Sequence, residues 1–264
     1  MHLLAALGIA FSFLTTLPTP HVEWNPSRLR YVPMVTPIVG AVIGTLGALL
    51  FGALRFWEVS HVLRGVVMTF FYLAATGGLH MDGLMDACDA VFSRKGREER
   101  LAILSDTHVG AFAVMGCVSV LVLKAGIFSE LFTSSHSGLF SGSHMILLAL
   151  IPVYSRFGLG LLFFMPFAKE DGLARTLGAA RVYKDRLFIL AVYALFGAAV
   201  LPLGLKWFIV PLTSGVTFVF YSRYCVKNFG GITGDLMGAY VELSETLMLL
   251  TLVAMKGQAG LCTS

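Results

Sequence analysis

Residues 76–110, TGGLHMDGLMDACDAVFSRKGREERLAILSDTHVG, decide how the rest of the chain is read. An apolar run over residues 66–75 delivers the chain into Gly77 and Gly78. Asp82, Asp86 and Asp89 follow at i, i+4, i+7, so a helix would carry them on one face, about a turn apart. A basic segment comes next (Arg94, Lys95, Arg97, Arg100), and then Asp106. Only 13% of the 264 residues are charged, against about 25% in soluble domains, so this concentration needs a physical explanation. Apolar residues that end in a knot of charge mark a helix leaving a bilayer.

The flanking sequence agrees. The chain is 57% hydrophobic, and its mean hydropathy is +0.82. Apolar runs occupy residues 3–17, 34–54, 62–79, 109–128, 145–167, 187–203, 207–221 and 235–256. Several approach the ~20 residues that span a bilayer as a helix. They are continuous rather than alternating, which selects helices over a barrel. The expectation is an all-α, polytopic transmembrane bundle of about seven to eight apolar segments, forming one catalytic domain over residues 1–264. Pro18 and Pro20 cut the first run short, so it either spans thinly or lies at the interface. Residues 187–221 read as a helical hairpin around Gly204, Leu205 and Lys206. Gly40, Gly44 and Gly47 share a helix face that lets a second helix approach closely, within the chain or in a homodimer.

Cys88, Cys117, Cys225 and Cys262 form no CxxC pair and read as free thiols. No basic residues precede the first apolar run, which argues against a cleaved signal peptide. The net charge of +4 is small and says little about nucleic acid, and no nucleic-acid partner is expected.

Alternating sides along eight segments gives an uneven charge split. One side receives Arg28, Arg30, Arg94, Lys95, Arg97, Arg100, Lys169, Arg175, Arg181, Lys184, Arg186, Arg223 and Lys227. The other receives Arg55, Arg64, Lys206 and Lys256. The crowded side is then cytoplasmic. On it lie the aspartate cluster, the connector after Phe167 and the GGITGD loop, so the three can converge on one site.

Three neighbouring carboxylates repel unless a cation neutralises them. Asp82, Asp86 and Asp89 therefore read as hard oxygen ligands for Mg²⁺. The plainer alternative is a solvated helix end paired with the nearby arginines. Gly77, Gly78 and Gly83 would let backbone N–H groups approach a phosphate. Asp235, Glu242 and Glu245 fall within about 80° of one another on a helix. Acids inside a span are functional by default, or else pair with Arg156 or Lys124. Arg156, Arg175 and Arg181 suit phosphate oxygens. His80 and His108 flank the acidic segment as potential acids, bases or donors. Together these residues favour a metal-dependent phosphotransferase embedded in the membrane. The rival is a cation-coupled transporter, which the position of the acids at a span's end rather than its middle disfavours.

GGLHMDGLMDACDA (77–90), with the basic segment and LAILSDTHVGAFAVMG (101–116), resembles the cobalamin synthase family, the adenosylcobinamide-GDP ribazoletransferases. FSFLTTLP (11–18), VPMVTPIVGAVIG (32–44), PVYSRFGLG (152–160) and GGITGDLMGAYVELSE (230–245) resemble that family's blocks in its order. Ala90 and Ala113 stand where its members often have glycine. The resemblance implies a Mg²⁺-dependent, multi-pass protein of the bacterial inner membrane, with its active site on the cytoplasmic side. It would join adenosylcobinamide-GDP to α-ribazole or α-ribazole 5′-phosphate and release GMP. Asp82, Asp86 and Asp89, with Asp106 and Asp235, would hold metal on the diphosphate. Asp89 or His80 would take the hydroxyl proton, and Arg156 and Arg175 would bind phosphate. A weaker likeness is to the CDP-alcohol phosphotransferases, which also place aspartates around a DG pair, but no AR follows the DG here.

Overall fold

A computed structural model describes residues 2–20, 22–136, 142–169, 172–178 and 183–259; Arg181 and Cys262 lie outside them. Its helices are α1 (His2–Leu14), α2 (Pro26–Leu29), α3 (Val32–Leu54), α4 (His61–Ala75), α5 (Leu79–Phe92) and α6 (Arg97–Ile103). They continue as α7 (Ala111–His136), α8 (Gly142–Leu162), α9 (Leu173–Gly178), α10 (Tyr183–Ala199), α11 (Ile209–Phe229) and α12 (Gly234–Ala259). Among the described residues the only extended pairing is one parallel bridge between Phe167 and Ile232. The all-α class expected from continuous apolar runs is the class observed.

The number of spans differs from expectation. Among the described residues, five helical stretches are long and apolar enough to cross a membrane: Val32–Leu54, Ala111–Thr133, Ser143–Leu162, Lys184–Leu203 and Gly234–Met255. The seven to eight expected from apolar runs therefore fall to five, or to six if one bent pair counts as a span. The 13 residues of α1 rise only about 20 Å, against a hydrocarbon core of about 30 Å. In α11 length suffices, but Ser222, Arg223, Lys227 and Asn228 dilute its apolar stretch. The run 62–79 does not form one straight span. It breaks after Ala75, and α5 leaves α4 at 93°.

The expected hairpin does form, with short 3-10 turns at Leu201–Leu203 and Leu205–Phe208 on either side of Gly204. Its return leg, α11, ends beside the chain leaving α8, where the Phe167–Ile232 bridge sits. This brings the connector after α8 and the loop before α12 to the same end of the bundle.

Glycine sets the closest helix contact. A Cβ on Gly40 or Gly44 would collide with the carbonyl oxygens of Pro152 and Ala149, so α3 and α8 meet backbone to backbone. Thr36 fastens the pair by donating to the Arg156 carbonyl at 2.9 Å. The glycine face is thus used inside the chain. Val114, Met115, Val118 and Val122 of α7 are exposed apolar side chains suited to lipid. Cys88, Cys117 and Cys225 are free thiols.

Candidate active site

The site begins at the bend. Gly77 (φ +61°) and Gly78 (φ +75°) take left-handed backbone that costs glycine nothing. Their N–H groups donate to Ala74 and Leu73, each at 3.0 Å, and so cap α4. The two glycines suit amides turned toward a phosphate, but these bonds commit the amides to the turn that aims α5. Thr16 completes the turn, donating from its N–H to Ala75 O at 3.0 Å and from its hydroxyl to Ala74 O at 3.0 Å.

Along α5, Asp82 and Asp86 face the start of α12. Thr233 caps that helix, its hydroxyl accepting from Leu236 N–H at 3.3 Å. Asp235 follows in the first turn, and Gly83 leaves room for its backbone. Asp235, Asp82 and Asp89 are all within electrostatic reach of Asp86, with Lys169 opposing them. The predicted acids from two distant segments therefore share one neighbourhood.

A cavity of about 300 Å³ opens beside them. His80, Asp82, Asp235, Lys169 and Arg175 line it together with apolar side chains from α1, α3, α8 and α9. His80 is 2% exposed, and its Nε2 is buried without a hydrogen-bond partner. In the sequence Lys169 is one of the connector's several basic residues, and nothing but its place there marks it for the cavity. Its position just past the apolar run ending at Phe167 was the available signal. Lys169 also bonds the Ser105 hydroxyl and so ties the loop after α6 to the site.

Other expected residues lie elsewhere. Asp89 caps α7: its Oδ2 accepts from Gly110 N–H at 2.7 Å and its Oδ1 from Ala113 N–H at 2.9 Å. A carboxylate so held compensates the helix end rather than standing free as a base. Asp106 is exposed on the loop after α6 and accepts from His108, Oδ1 to Nδ1 at 2.6 Å. The His108 side chain and N–H hold its carboxyl below the usual carboxylate range. Arg156, Glu242 and Glu245 do not line the cavity. Glu245 pairs with Arg156, accepts from Ser155 at 3.0 Å and lies 3.8 Å from Lys124. Lys124 meets Glu242 at 2.5 Å. This is the pairing alternative: two cations and two anions neutralise one another inside the bundle, which intramembrane charge requires.

Among the described residues, no group of three or more His, Cys, Asp or Glu side chains is arranged as a ready-made metal cage. Magnesium does not need one. It keeps several waters and takes one or two carboxylates plus substrate phosphates. Asp82 and Asp235 line the cavity and Asp86 lies beside them; any two of these carboxylates, with hard oxygens only, fit that kind of site.

The family model described as cobalamin-5-phosphate synthase matches residues 6–253. An adenosylcobinamide-GDP ribazoletransferase of Clostridium botulinum (strain Alaska E43 / Type E3) is 30% identical over 95% of this chain and 97% of its own length. The protein of that name from Lachnoclostridium phytofermentans is 31% identical over 97% and 96%. The one from Geobacillus sp. (strain WCH70) is 33% identical over 90% and 91%. No solved structure matches. The match runs through α1 to α12 and takes in every residue lining the cavity: the chain belongs to the cobalamin-5-phosphate synthase family.

Proposed function

We propose that this protein is an adenosylcobinamide-GDP ribazoletransferase performing the last joining step of cobalamin synthesis. The acceptor is α-ribazole or its 5′-phosphate, and GMP is released. The observation that carries this reading is the single cavity lined by His80, Asp82, Asp235, Lys169 and Arg175. Acids that suit a divalent cation, two cations that suit phosphate and a buried imidazole are what a diphosphate exchange needs.

Asp82, Asp86 and Asp235 would hold Mg²⁺. When bound, the ion supplies charge neutralisation on the diphosphate. Lys169 and Arg175 bind the non-bridging oxygens and orient the donor. The acceptor's ribose hydroxyl forms the new bond to the phosphorus nearer the cobinamide. The bond from that phosphorus to the bridging oxygen breaks, and GMP leaves with that oxygen. The hydroxyl proton passes to His80, whose Nε2 has no competing partner. The basic connectors at this end of the bundle support a cytoplasmic site in the inner membrane.

The test is GMP release by purified protein supplied with donor, acceptor and Mg²⁺. Asp82→Ala and Asp86→Ala should abolish it with the protein still inserted in the membrane. Near-normal turnover in either variant removes the metal-site assignment, and CMP release from a CDP-alcohol would replace the substrate assignment.

A further inference from the structure

Two of the charges lining the cavity, Lys169 and Asp235, are placed by one short corner of backbone. Lys169 follows the parallel bridge between Phe167 and Ile232, and Asp235 stands in the first turn of α12 just after it. The bridge is narrow: Ile232 N–H donates to Pro166 O at 2.8 Å, and Ala168 N–H donates to Ile232 O at 3.0 Å. Gly231 lies flat on it, since a Cβ there would come 2.5 Å from Pro166 O and 2.6 Å from the Ala168 nitrogen. So small a pairing is marginal by itself, and the corner needs a further anchor.

α6 supplies one. Its seven residues are too few to stand as a helix alone, and none of its side chains is fully buried. Its contacts with distant segments lead to that corner. Arg97 donates from Nε to the Phe229 carbonyl at 2.9 Å, at the end of α11. Its guanidinium lies against Gly230, which turns with φ +79°, so a Cβ at Gly230 would collide with it. Arg100, about one turn on, donates to Asn228 Oδ1 at 3.4 Å and stands 5.9 Å from the centroid of the Phe229 ring. On the other side of the corner the Lys169 ammonium donates to the hydroxyl of Ser105, just past α6. A guanidinium suits the end of α11, where a helix leaves carbonyls without intrahelical partners and carries partial negative charge.

We infer that α6 braces the active site and that Arg97 is its principal positioning residue. By clamping the end of α11 and the left-handed turn at Gly230, Arg97 sets the corner that places Asp235 and Lys169. The inference rests on the reaction proposed above. Arg97 does not line the cavity, so it acts through the backbone. Asp235 lies six residues after Phe229, and the path between them is the Gly230 turn, the bridge and the Thr233 cap. Releasing Phe229 lets the turn open and moves Asp235 relative to Asp82. Lys169 moves with it, because Ala168 is bonded to Ile232.

The experiment is amide hydrogen exchange and steady-state kinetics on the full-length protein in detergent. In Arg97→Gln the amides of Ile232 and Ala168 are expected to exchange about tenfold faster or more, while those of α3 and α8 keep their protection. The Mg²⁺ concentration for half-maximal GMP release should rise about tenfold and kcat should fall by about as much, with the KM for α-ribazole changed less than about twofold. Arg97→Lys keeps a charge and a donor for the Phe229 carbonyl and should recover most of both. Unchanged exchange beside lost turnover means that Arg97 touches substrate; faster exchange beside normal kinetics means that the clamp serves stability alone. Either result overturns the inference. If Arg97→Gln does not fold, Ser105→Ala decides: Ala168 exchange and turnover both equal to those of the unmodified protein overturn the brace. Failure of the unmodified protein to release GMP overturns the reaction instead, and the exchange rates still report on the brace.

Discussion

Gly83 on α5 and Asp235 on α12 meet backbone to backbone: a Cβ at Gly83 would lie 2.6 Å from the Asp235 carbonyl oxygen and 3.0 Å from its Cα. Neither residue's partner is legible from its own segment, because some 150 residues separate them in the chain. Yet this contact puts the carboxylate of Asp235 beside those of Asp82 and Asp86.

Gly83→Ala should therefore push α12 away from α5 without removing any functional group. A displacement of about 1 Å at the reacting centre costs on the order of a hundredfold in rate. GMP release should fall by that order while circular dichroism stays unchanged. Activity within about threefold of the unmodified protein would show that the spacing of the two helices is not critical.

Asp89 should behave as a helix cap. Asp89→Ala strands the N–H groups of Gly110 and Ala113 and should lower stability by about 1–2 kcal/mol, read as a lower Tm in detergent. Asp89→Asn keeps a side-chain acceptor and should retain most of the turnover. Complete loss of turnover in Asp89→Asn, at an unchanged Tm, would return this residue to the role of base.

Magnesium titration separates acids that share the site from acids that do not. Asp86→Asn should raise the Mg²⁺ concentration for half-maximal activity by about tenfold or more. Asp106→Asn should move it less than about twofold, since its carboxylate is engaged by His108. Equal shifts in both variants would contradict this division.

The buried charges make a thermodynamic prediction. Arg156→Met leaves Glu245 without its arginine and should destabilise by about 3–5 kcal/mol. Replacing both by methionine should recover a large part of that loss. A double variant as unstable as the sum of the single variants would mean that the pair does not act as a unit.

Much of this was open to sequence reasoning, and the reasons are local. Continuous apolar runs fix the helical class, and the i, i+4 spacing fixes Asp82 and Asp86 on one face. Gly40 and Gly44 announce a close helix approach, which α8 supplies. What could not be read is where side chains point once a helix bends. Asp89 continues the spacing of Asp82 and Asp86, yet it meets a different neighbour, because α7 begins beside it. Gly77 and Gly78 carry the composition of an anion loop and of a helix cap alike, and only the bonds of their amides to Ala74 O and Leu73 O separate the two. The count of seven to eight segments is not confirmed for a related reason: hydropathy measures the apolar character of a run and does not see the 93° corner after Ala75.

The charge quartet has a mechanical consequence. Glu242 and Glu245 fasten α12 to Lys124 of α7 and Arg156 of α8. Asp235 lies seven residues from Glu242, about 10 Å along the same rod. Any sliding of that rod along the membrane normal would unpair ions in a medium that cannot solvate them. The fastening thus acts as a depth stop: as the surrounding lipid thins or thickens, Asp235 keeps its height relative to its neighbours.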